Sequence, residues 1–147
     1  TLVQRFGDKS ALKQRTLLHA WDRLDASTAR LDASVPKTPA GAVDLLVGLS
    51  AQYGEIESYA EGLLVLREDL RDPVVRARGA AWKAALTRAL DKCFATTPGA
   101  PDGLGLMTAS QWQGVVLWWS FDPQANVEDV VQESLRRFLS AVVTAET

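Results

Sequence analysis

Cysteine and histidine are almost missing from this sequence. It has one Cys, Cys93, and one His, His19. A lone cysteine closes no intrachain disulfide, and the two residues together cannot form a two-histidine site or a four-ligand Cys/His zinc site. No metal and no cofactor are therefore expected. No stretch reaches 18 apolar residues without a charge, and the opening residues carry Arg5, Asp8 and Lys9 in place of an apolar signal segment. A cytoplasmic setting without a membrane partner is the expectation. Also lacking are a Gly-rich phosphate loop, a nucleophile elbow and a Glu-x-x-His pair, so the usual acid/base, nucleophilic and metal constellations have nothing to be built from. The chain is not expected to be an enzyme, and no catalytic residue is assigned. Neither sign of charge dominates: 16 Lys and Arg stand against 18 Asp and Glu, a formal net charge of −2. Any nucleic-acid contact must be local.

What is present is a globular composition of 147 residues, 47% hydrophobic and 23% charged, with five Trp. A chain of this size buries roughly 68 to 70% of its unfolded surface. Strand-type Val/Ile/Thr alternation and internal repeats are not evident, whereas long segments rich in Ala, Leu, Arg and Val have helical rhythm. Abundant Ala and Arg beside a single Ile and a single Asn suit a high-GC bacterial genome. The fold class expected is all-α, a helical bundle. The sequence opens at Thr1 without Met, which reads as part of something longer.

Breakers divide the segments. A first helix is predicted from about Lys9 to Leu31, N-capped by Asp8, with Leu12, Leu17, Ala20, Trp21, Leu24 and Leu31 recurring at mostly three- or four-residue steps. Thr38-Pro39 opens a second, with Thr as cap and Pro at the first helical position, a stripe of Ala42, Leu46, Leu49 and Tyr53, and Gly54 as its stop. Ile56 to Leu70 follows, weakened by Gly62. Asp72-Pro73 repeats the cap-plus-proline signal and opens Val74 to Ala95, whose stripe is Val75, Gly79, Trp82, Leu86, Ala89, Leu90 and Cys93. Thr96 to Gly105 has loop composition, and its length predicts mobility.

The last two helices carry more apolar surface than one small core needs. Thr108 to Phe121 has Gln111, Gly114, Trp118 and Phe121 on one face and Trp112, Val115, Val116 and Trp119 on others, so it must be covered on both sides. The final helix opens at Asn126 and sets Val127, Val130, Val131, Leu135, Phe138, Leu139 and Val142 against a charged face. Two such helix pairs about a two-fold axis would make a four-helix bundle. The expected homodimer interface is Gln111, Gly114, Trp118, Phe121, Val127, Val131, Leu135, Phe138 and Val142; the bland alternative places both helices at the centre of a monomer.

The segment Thr1-Leu2-Val3-Gln4-Arg5-Phe6-Gly7-Asp8-Lys9-Ser10-Ala11-Leu12 resembles the end of the helix-turn-helix and the start of the next helix in the tetracycline-repressor (TetR) family of bacterial regulators. Phe6, the Gly7-Asp8 turn, Lys9 and Leu12 match; Val3 stands where Tyr is usual and Arg5 where His is usual. Arg71-Asp72-Pro73 opening a long helix and Trp118-Trp119-Ser120-Phe121-Asp122-Pro123 closing the penultimate one also follow the family layout. The resemblance implies that residues 1–8 end a DNA-binding domain whose earlier helices precede Thr1, and that 9–147 form a ligand-binding and dimerisation domain. It places Thr1, Val3, Gln4, Arg5 and Lys9 at operator DNA. Residues 1–15 hold Arg5, Lys9, Lys13 and Arg15 against Asp8, a charge of +3 that leaves −5 for the other 132 residues, which suits docking at one end.

The resemblance further implies a regulator, in its commoner mode a repressor, whose body binds a small effector and shifts the helix 9–31. Paired recognition helices must sit about 34 to 36 Å apart, so a small tilt loses the operator. Candidate pocket walls are Trp21, Leu46, Tyr53, Tyr59, Trp82, Leu86, Met107, Trp112, Val116 and Trp119, although large aromatics fill cores as readily as pockets. Few ionisable groups fall on these faces, which points to a hydrophobic or aromatic effector. His19 is expected at the surface and Cys93 buried and inert. The other class considered is a helical carrier or adaptor that never touches DNA.

Overall fold

A computed structural model describes residues 2–143, with the side chains of residues 2, 3, 5 and 6 outside the description. Six α-helices follow in order: α1 (Leu2–Ser34), α2 (Pro39–Ser50), α3 (Ile56–Arg71), α4 (Pro73–Phe94), α5 (Leu104–Trp119) and α6 (Val127–Val142), with a 3₁₀ turn at Ala51–Tyr53. The chain is an all-α bundle, with no strand among the described residues.

Three of the predicted caps are made. Thr38 accepts a hydrogen bond from the Gly41 N–H at 3.1 Å. Asp72 Oδ1 accepts from the N–H groups of Val74 at 2.9 Å and Val75 at 3.4 Å. Asn126 Oδ1 accepts from Glu128 at 2.8 Å and Asp129 at 3.3 Å. Each answers N–H groups that the first helical turn leaves without a partner.

Two boundaries differ from expectation. The break predicted at Gly7-Asp8 is not there: α1 runs through both residues, so Asp8 lies within the helix and caps nothing. Helix α5 begins at Leu104, four residues before Thr108, because Gly103 turns the chain at φ 79° and the Gly105 N–H donates to Asp91 Oδ1 of α4 at 3.0 Å. A side chain at Gly105 would meet that carboxylate at 2.3 Å, so the start of α5 lies close against α4.

Helix α2 sits at the centre, packed on α1, α4 and α6, while α5 packs on α4 and α6. The core joins Leu45, Leu46 and Leu49 of α2 to Leu86, Leu90 and Cys93 of α4, Trp112 and Val116 of α5, and Val131 and Leu135 of α6. Helix α3 lies outside this, on α4 and the 3₁₀ turn, and buries only Tyr59 and Asp69.

Candidate functional site

The predicted pocket walls divide into core and surface. Leu46, Tyr59, Leu86, Trp112, Val116 and Trp119 belong to the single buried cluster, with Tyr53 and Trp82 packed against it. Tyr53 bridges two of them, its ring centroid 5.4 Å from Tyr59 and 6.3 Å from Trp112. Burial pushes both tyrosine hydroxyls above their usual range. Trp21 packs at 5.7 Å against Trp82 with the rings tilted by 51°, on the α1–α4 side of the bundle. Met107 is separated from these walls by its exposure on α5.

The indole N–H groups tell how the four inner tryptophans are held. Trp112 donates to Ser50 Oγ at 2.8 Å, Trp119 to the Ala125 carbonyl at 2.8 Å, Trp82 to Thr28 Oγ1 at 3.0 Å and Trp21 to Asp69 Oδ1 at 3.3 Å. Among the described residues no buried side-chain nitrogen or oxygen lacks a partner. A guest entering this cluster would be held by apolar contact, with no free polar group to orient it. Two open grooves lie elsewhere, about 480 Å³ between α1 and α4 at Thr28, Arg88 and Lys92, and about 460 Å³ at Lys13, Gln14 and Glu68. None of the ten predicted wall residues lines either groove.

Beside its apolar contacts through Leu17, Trp21, Leu24 and Leu31, the seam of α1 has a polar edge. Arg78 of α4 bonds Asp22 at 2.9 Å and also Asp25, and these carboxylates raise its guanidinium pKa. Lys92 reaches Asp32 at 3.1 Å and Lys37 reaches it at 2.8 Å. Those partners, Lys37 first, hold the Asp32 carboxyl below the usual range. Lys13 meets Glu68 of α3 at 2.8 Å, and Gln14 donates to Asp72 at 3.1 Å. These contacts were not anticipated from the sequence, since, apart from Lys37 and Asp32, their partners lie more than 50 residues apart in the chain.

On α5 the outer face is open. Trp118 is 73% exposed and Phe121 76%, their ring centroids 5.8 Å apart, and Gln111 is exposed one helical turn below Gly114. A Cβ at Gly114 would meet no neighbour within 4 Å. These four of the nine predicted interface residues face outward together. Val127, Val131 and Leu135 do not: they are 3%, 0% and 0% exposed, because the main stripe of α6 is used within the chain against α2 and α5. Phe138 and Val142 are half-buried at the edge of the same core.

Of the predicted DNA contacts, Thr1 and the side chains of Val3 and Arg5 lie outside the described residues, while Gln4 and Lys9 are exposed on α1. His19 is exposed. Cys93 is fully buried, and burial pushes its thiol pKa up. Among the described residues no group of three His, Cys, Asp or Glu could hold a metal, and no helix is long and apolar enough to cross a membrane. No family model, curated protein or solved structure matches this chain.

Proposed function

We propose that this chain is the effector-sensing and dimerisation body of a TetR-like transcriptional regulator. The observation that carries the reading is the open aromatic face at the end of α5, where Trp118 of the helix and Phe121 of the turn after it project beside an uncovered Gly114. Two exposed aromatics next to a backbone that another helix can approach suit a self-complementary helix-pair interface. In this reading the α5 faces of two copies pair about a two-fold axis, each backed by its own α6, and α1 is the lever that moves the DNA-binding end. The ion pairs and side-chain hydrogen bonds along the edge of α1 support the lever role, because they can be exchanged for water as the helix shifts. The effector is a hydrophobic or aromatic small molecule entering among Tyr53, Tyr59, Leu46 and Trp112.

Light scattering on a size-exclusion column tests the reading directly. At low micromolar concentration the expected mass is twice the chain's 16.0 kDa, falling to a single copy in Trp118→Asp. A single copy of the unaltered chain would overturn it. One observation favours a second reading: the unbroken α1 at Gly7-Asp8 lacks the turn that a helix-turn-helix boundary calls for. A helical carrier or adaptor of small apolar molecules, without DNA binding, is the reading that a single-copy mass would leave standing.

A further inference from the structure

Helix α3 presents its outward side in an unusual order. Leu64, at 74% exposure, is the most exposed of its apolar residues, with Leu63 beside it at 43%. Around Leu64 the charges are arranged as a palindrome: Glu57 and Glu61 lie seven and three residues before it, and Arg67 and Arg71 lie three and seven residues after it. At 3.6 residues per turn, offsets of three and seven return to nearly the same side of a helix, so all five side chains share one face. All are exposed. Among the described residues Glu57, Glu61 and Arg71 make no ion pair, and Arg67 has only the adjacent Glu68 at 3.2 Å, which is half-buried and also held by Lys13 of α1 at 2.8 Å.

We propose that α3 is a second self-association face, pairing antiparallel with α3 of another copy about a two-fold axis through Leu64. In that arrangement Leu64 meets its own counterpart, Glu57 faces Arg71, and Glu61 faces Arg67, each pair made twice. The pattern is self-complementary in only one direction: parallel pairing would set Glu against Glu and Arg against Arg. Nothing in the packing of the single chain requires this order, because the inner side of α3 is the one carrying Tyr59 and Asp69. Sixteen residues give a contact about 24 Å long, at the small, transient end of interface sizes, below about 1,200 Å². Association is therefore concentration-dependent, and it is independent of the α5 face because α3 packs on α4 and the 3₁₀ turn while α5 packs on α4 and α6.

The test uses Trp118→Asp chains, so that α5 contributes no pairing, and follows mass against concentration by light scattering. With α3 intact, the mass rises from one copy towards two. Glu57→Arg with Glu61→Arg holds it at one copy, and so does Arg67→Glu with Arg71→Glu. An equimolar mixture of the two reversed chains restores the rise. The proposal is overturned if the parent never exceeds one copy, if either reversal leaves association unchanged, or if the mixture fails to recover it. Leu64→Cys gives a readout that does not depend on the reversals: mild oxidation links copies at position 64. Cysteine at position 57 stays unlinked, since those sites would stand about 21 Å apart along the axis. Equal linking at both positions would also overturn the pairing.

Discussion

Asp69 is the only charged residue among those the described fold buries, and its one hydrogen bond comes from the Trp21 indole. Desolvation outweighs that bond and raises its carboxyl above the usual 3.8. A raised carboxyl favours folding while it is protonated, and this contribution is lost as pH rises through the folded-state value. Asp69→Asn keeps an acceptor for Trp21 and removes the charge. The variant is expected to unfold at higher urea than the parent at neutral pH, with the gap closing as pH falls below the ordinary carboxylate range. A variant no more stable than the parent at neutral pH would contradict the argument. The same indole bonds show what sequence reading could reach. Periodicity placed Trp82 on the inner stripe of its helix, and it packs against the core there, whereas on the helix carrying Trp112, Trp118 and Trp119 the apolar residues point nearly all round and only the fold sorts inner from outer. A large aromatic on an inner face reads alike whether it touches a guest or its neighbours. What distinguishes them, the acceptors Thr28 and Ser50, lies 54 and 62 residues away in the chain.

Elements were most legible where a side chain acts on its own backbone. Thr38-Pro39, Asp72-Pro73 and Asn126 each announce a helix start within four residues, and each makes its cap. The cap of α6 is expected to be measurable in the whole fold, because that helix closes the core against both α2 and α5. Asn126→Ala should cost about 1 kcal/mol in urea unfolding and Asn126→Ser much less, since Ser can also accept from the first-turn N–H groups. Equal losses in the two variants would refute a capping role. Helix α3 starts at Ile56 as expected although its cap residue, Glu55, makes no side-chain bond, but the start of α5 was hidden. The first turn of α5 has no side-chain cap, and the glycines around Leu104 carry the composition of a loop. At Gly7-Asp8 the opposite happened: a turn-like dipeptide biases the backbone by only about 1 kcal/mol, and helix propagation from neighbouring turns carries α1 through it.

At the scale of the molecule, the described helices leave their largest groups of exposed apolar residues on α5 and on α3, with Leu12 of α1 and Val74 of α4 exposed besides. Two isologous faces on one chain make a closed tetramer when their axes cross at right angles and an open string when the axes do not meet. A mass that levels off at four times 16.0 kDa would identify the first geometry, and one that climbs without limit the second. The exposed apolar face of α5 was legible in sequence as a helix with apolar residues nearly all round. The burial of the α6 stripe was not, because an amphipathic stripe does not say whether it meets its own chain or another. The arrangement of the tryptophans also gives the molecule an optical property. Trp112 and Trp119 are buried, Trp21 and Trp82 are half-buried, and only Trp118 is largely in water, so collisional quenching by acrylamide is strongest at Trp118. Pairing through α5 should shift that emission to the blue and shield it from the quencher. Pairing through α3 should leave it unaltered, so steady-state fluorescence of the unlabelled chain can tell the two associations apart.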